Sequence, residues 1–76
     1  MLNLTPRERA VARYLLGGWN YESIAVQLGI SSGTVRVNHA QAIIKQTGQD
    51  NMLAAVLWIL RNAEALGHVM ECEWQG

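Results

Sequence analysis

The chain has 76 residues, half of them apolar, with six basic residues, six acidic ones and one cysteine. This composition fits one small domain whose core a partner subunit would usefully extend, and it excludes a disordered tail. The longest apolar run, Met52 to Leu60, is too short to cross a bilayer, and the lone Cys72 excludes an internal disulfide.

Charge and compartment follow from the same residues. No basic start with an apolar stretch and small cleavage residues is present, so a cytoplasmic, non-membrane protein is expected. The formal charge is zero, but residues 1–61 hold all six basic residues and three acids, whereas residues 62–76 hold Glu64, Glu71 and Glu73. A body of +3 with an acidic tail of −3 is compatible with contact to DNA, through a modest field.

In chain order, Thr5-Pro6-Arg7-Glu8 predicts a helix start. Thr5 caps, Pro6 suits the first helical position, and Glu8 completes a capping box. The helix is expected over 6–16, with Val11, Tyr14 and Leu15 on one face and Arg9 and Arg13 on the other, ending at Gly17-Gly18. Asn20 is the expected cap of a second helix, 21–28, which turns Ile24, Ala25 and Leu28 inward. Trp19 and Tyr21 flank its start and are expected to seal the core edge. Gly29 is expected to close that helix in a left-handed conformation, and Ser31 to cap a third helix over 32–46 that Gly48 ends.

Asp50 is the expected cap of a fourth helix, 51–66, stopped by Gly67, with an acidic tail over 68–76. Its apolar residues cover an arc of roughly 200°, wider than the stripe of about 100° that one core requires. The excess predicts a second copy of the same helix as partner, since two-fold dimers are the commonest soluble oligomers. Met52, Ala55, Trp58, Ile59, Asn62 and Leu66 are the expected dimer-interface residues. Trp74 in the tail is expected to lie on the body or on a partner.

The most informative stretch is 22–37. Leu28-Gly29-Ile30-Ser31 forms an apolar–glycine–apolar–cap corner between two helices, which is how a helix-turn-helix is built. Such a unit commonly carries its second helix into the DNA major groove. On the helical wheel, Gly33, Val37, Ala40, Gln41 and Ile44 form the expected outer face of that helix, and this face carries no charge.

The chain resembles the DNA-binding domain of the LuxR/GerE (NarL-type) transcription regulators. The matching residues are Leu4-Thr5-Pro6-Arg7-Glu8-Arg9, Val11, Leu15, Gly18, Asn20, Glu22, Ile24-Ala25, Leu28-Gly29-Ile30-Ser31, Gly33-Thr34-Val35-Arg36-Val37 and Lys45. The resemblance implies an all-α, four-helix helix-turn-helix domain of bacterial type, dimerised through its last helix on a two-fold-related promoter site. It also implies that Arg36 and Val37 reach base edges, with Thr34 and Lys45 near phosphates. The family commonly has Lys at Tyr21, His at Asn38, a basic or polar residue at Ala40, Arg at Asn51, and Leu-Gly-Val at Gln46-Thr47-Gly48.

The chemistry of these residue types agrees. Arg36 can donate two hydrogen bonds to guanine, Gln41 can pair with adenine, and Val37 offers a methyl surface to thymine. Ser32, Gly33 and Thr34 sit at a helix N-terminus, where the dipole favours phosphate, and Tyr21 can hydrogen-bond one. The expected DNA-binding set is therefore Ser32, Gly33, Thr34, Arg36, Val37, Ala40, Gln41, Lys45 and Tyr21.

The expected function is that of a small stand-alone transcriptional regulator binding double-stranded DNA as a homodimer. A larger LuxR-type regulator or RNA polymerase are further candidate partners. The alternative is a protein-binding module of the same fold that inhibits a larger LuxR-type regulator by forming mixed dimers. It draws on the apolar strip of the third helix, the zero net charge and the acidic tail. A sigma-factor region-4-like unit is a third reading, since 18–25 also looks like that family, but the opening from Leu4 to Arg9 and the long fourth helix argue against it. No catalytic constellation or phosphate-cradling loop is present, His39 reads as a packed or capping imidazole, and His68 with Cys72 does not make a zinc site. No enzyme activity, cofactor or metal is expected.

Overall fold

A computed structural model describes residues 2–70. Among these the chain is all-helical, with no strand. The five helices are α1 (Pro6–Leu16), α2 (Tyr21–Leu28), α3, α4 (Met52–Arg61) and α5 (Ala63–Met70). Helix α3 runs without interruption through Ser32–Thr34, a π-helical segment Val35–Ala40, and Gln41–Thr47.

The start of α1 is fixed by a reciprocal pair. Thr5 Oγ1 accepts the Glu8 N–H at 3.2 Å, and Glu8 Oε1 accepts the Thr5 N–H at 3.0 Å. Two backbone donors that the helix leaves without partners are thereby satisfied. Ala10, Val11 and Ala12 are buried on its inner side. Arg9 is half-buried, and its Nε donates to the Leu4 carbonyl at 3.2 Å. Arg13 is half-buried as well. Trp19 stacks on Tyr14 with ring centroids 4.5 Å apart, at the corner that turns the chain into α2.

The corner between α2 and α3 is built as the sequence requires. Asn20 Oδ1 accepts the Ser23 N–H at 2.8 Å at the start of α2. At the other end Gly29 adopts φ +70°, and the Ile30 N–H donates to the Ala25 carbonyl at 3.0 Å. That six-to-one bond is the Schellman closure, and the left-handed residue inside it has almost no steric cost when it is glycine. Ser31 then caps α3, its Oγ accepting the Thr34 N–H at 3.0 Å.

The expected helix over 51–66 is two helices. Asn51, in extended conformation, caps α4 by accepting the Ala54 N–H at 2.9 Å, so Asp50 is not the cap. Asn62 leaves helical conformation at φ −105°, ψ 102°, and its Oδ1 accepts the Ala65 N–H at 3.1 Å. One asparagine therefore ends α4 and caps α5. Gly67 lies within α5 instead of stopping a helix, and His68, Val69 and Met70 are helical. The rest of the expected tail, with Cys72 and Trp74, lies outside the described residues.

The break at Asn62 redirects the chain onto α1. Ala65 and Val69 become buried beside Leu2 and Leu4. His68 Nε2 accepts the Leu4 N–H at 3.1 Å. The opening segment is held on its other side by Gln46, whose Oε1 accepts the Asn3 N–H and whose Nε2 donates to the Asn3 carbonyl. Ile24, Val35, Ile43, Ala55 and Ile59 complete the core, and each buried large aliphatic side chain among them contributes about 1.5–3 kcal/mol.

Candidate nucleic-acid interface

The orientation of α3 follows from what its inner side buries. Val35, Ala40, Ile43 and Thr47 are buried, and the Thr47 hydroxyl donates within the helix to the Ile43 and Ile44 carbonyls. Val35 and Ala40 are five residues apart, the spacing of a π turn. An unbroken α-helix would have placed Ala40 well round from Val35. The wider turn therefore corrects the expected outer face. Ala40 is 1% exposed and cannot touch DNA, and Ile44 is half-buried against the core.

What remains outward is a compact set. Arg36, Asn38, Gln41 and Lys45 are exposed, and Val37 is 62% exposed. Val37, Asn38, Gln41 and Lys45 share one shallow surface depression with Ala42 and Ile44. Asn38 was not among the residues expected from sequence. The signal that could have found it is spacing: Asn38 stands three residues before Gln41 and seven before Lys45, which puts the three on one side of a helix.

The leading end of α3 is more structural than expected. The Thr34 hydroxyl lies 2.8 Å from Ser31 Oγ, so Thr34 completes a local helix-start network. Ser32 is exposed and Gly33 half-exposed, and their N–H groups lie in the first turn, where no intrahelical acceptor exists. A Cβ added to Gly33 would meet only Ser31 Oγ, at an ordinary 3.9 Å. The fold itself thus does not demand glycine there.

Tyr21 is half-buried and lies between two surfaces. Burial pushes its hydroxyl above the ordinary pKa of 10.0, and the positive charge of Arg36 acts in the opposite direction. Its other neighbours are apolar apart from Asn20. With Leu15, Asn20, Met52, Leu53 and Val56 it lines a shallow groove between the first two helices and α4.

The expected dimer residues divide on inspection of α4. Ala55 and Ile59 are fully buried in the chain's own core, so neither is available to a partner. Met52, Trp58 and Leu66 also pack against that core, and Asn62 is the capping residue of α5. The exposed apolar residues of α4 are Leu53, Leu57 and Leu60, at spacings of four and three that form one stripe. The wheel gave the arc its width but not which side of it faced inward.

Among the described residues, no three His, Cys, Asp or Glu side chains form a group able to hold a metal ion. No described helix is long and apolar enough to cross a membrane.

No curated protein and no solved structure matches the chain. Residues 2–59 match the family model described as GerE, bacterial regulatory proteins of the luxR family. The match spans the capped α1, the α2–α3 corner and nearly all of α4, and ends before Asn62 and α5. The chain therefore belongs to the luxR family of bacterial regulatory proteins, and its helix-turn-helix is that of a DNA-binding regulator.

Proposed function

We propose that the chain acts in the cytoplasm as a homodimeric transcriptional regulator that lays the outer side of α3 in the major groove of duplex DNA. The observation that carries this reading is the outward set Arg36, Val37, Gln41 and Lys45, projected from a helix whose opposite side is locked into the core by Val35, Ile43 and Thr47. Arg36 supplies a forked donor for guanine or a neighbouring phosphate, Val37 a thymine contact, and Lys45 a phosphate charge. Gly33 leaves room for a phosphate backbone to approach the first turn, where the N–H groups of Ser32 and Gly33 have no intrahelical acceptor. Tyr21 offers its hydroxyl to the same strand.

Two subunits join through Leu53, Leu57 and Leu60. This stripe is apolar and exposed in the single chain. A two-fold pairing would present two copies of α3 to half-sites about one DNA turn apart, roughly 34–36 Å. The test is sedimentation equilibrium combined with a gel shift on duplex DNA across a salt series. A dimer whose affinity falls as salt rises supports the reading. A chain that holds no duplex at low salt removes it.

The exposed stripe of α4 and the small number of cations on α3 also favour a second reading. In it the chain pairs through α4 with a larger LuxR-type regulator and withholds that regulator from DNA. Tight mixed dimers without duplex binding by the chain itself would select this alternative.

A further inference from the structure

Building on the DNA-binding reading, we infer that the centre of the α3 face reads A·T base pairs, with the Asn38 and Gln41 amides taking adenine and Val37 the thymine methyl. Charge lies only at the margins of this face. Arg36 is close enough to Tyr21 to act on its hydroxyl, at the α2 side, and Lys45 is near the far end of the helix. Between them stand Val37, Asn38 and Gln41, all exposed and none charged.

The amides of the region divide by use. Gln46 is occupied at both ends by Asn3, and Gln49 Nε2 donates to the Thr47 carbonyl at 3.1 Å. The side-chain amides of Asn38 and Gln41 hold no hydrogen bond to another described residue. They lie in one depression, three residues apart on the same face, with the Val37 methyl groups beside them. A side-chain amide matches the N6 donor and N7 acceptor of adenine in the major groove, and an aliphatic surface matches the methyl of thymine. The guanine pattern of two acceptors has no matching cation at the centre.

The test is selection of duplexes from a random pool by the full chain at low salt, followed by base analogues. A·T pairs should be enriched at adjacent positions of each half-site. Asn38→Ala and Gln41→Ala should each reduce discrimination against G·C at those positions about ten-fold, while non-specific binding at low salt persists. Replacing adenine there by an analogue without N7 should weaken the wild type but not the double variant. Replacing thymine by uracil should weaken the wild type but not Val37→Ala. Enrichment of G·C, or an A·T site indifferent to loss of N7, overturns the inference and leaves the DNA-binding reading intact. Failure to hold any duplex overturns both.

Discussion

The outer faces of α3 and α4 are both uncovered, yet they differ in kind. On the outer side of α3, from Arg36 to Lys45, the exposed residues are two cations, two amides and one valine. On α4 they are Leu53, Leu57 and Leu60, with Leu53 71% exposed. The first face can form hydrogen bonds and suits a polar groove with a defined donor and acceptor pattern. The second gains only by leaving water, and suits another apolar stripe. Under the proposed function, dividing the two tasks between two helices would let the chain associate without occluding the surface that would meet DNA.

The sharpest way to break this comparison is within α4 itself, where one side is buried in the core and the adjacent side is the proposed interface. Ile59→Ala should cost about 2–5 kcal/mol of unfolding free energy, because its side chain is fully buried, and should leave association of the folded chain unchanged. Leu57→Glu should leave the fold of the single chain within about 0.5 kcal/mol, yet convert the dimer to monomer. Denaturant unfolding and sedimentation equilibrium read the two effects separately, provided protomer concentration is held fixed. The reverse pattern would place the interface on the side now assigned to the core.

On α3, Arg36→Ala should weaken duplex binding by about 1–3 kcal/mol if the guanidinium contacts a base, with unfolding unchanged because the side chain is exposed. Gly33→Ala is smaller and has two signs. A helical glycine costs about 0.5–1 kcal/mol relative to alanine, and the fold has room for the methyl group. The variant should therefore unfold later and bind DNA less tightly. Greater stability without loss of binding would mean that no backbone approaches this turn closely.

These contrasts also mark what the sequence could reveal. The caps of α1, α2 and α3 were legible because Thr5, Asn20 and Ser31 act within three residues of themselves. Gly29 and Gly48 were legible for the same reason, each with a positive φ at a helix end. The break at Asn62 was not, because the apolar periodicity of α4 continues past it, and Leu2 and Leu4, beside which Ala65 and Val69 pack, lie some sixty residues away. Asn62 had the right chemistry for a cap, but its use as one depends on that distant packing. The outer face of α3 failed for a different reason. A wheel assumes 3.6 residues per turn, and a single π segment changes the phase of Ala40 and Ile44 relative to Gly33 and Val35 without altering composition.

The smallest effect links the two faces through Tyr21, which lines the apolar groove beside Leu53 and feels the charge of Arg36. Burial raises its folded-state pKa above 10.0, so the folded chain holds the phenolic proton to higher pH than the unfolded chain does. The stability that this contributes is complete below 10.0 and is lost as pH rises through the folded value. Because Arg36 pulls the value down, Arg36→Ala should move the Tyr21 midpoint further upward, read from its ring resonances in an alkaline titration. Leu57→Ala should leave that midpoint unchanged. An unmoved midpoint in Arg36→Ala would mean that the guanidinium stands away from Tyr21 and from the margin of the α3 face where the DNA-binding reading needs it. The titration is done on free protein, so it also separates loss of a DNA contact from rearrangement of the surface that makes it.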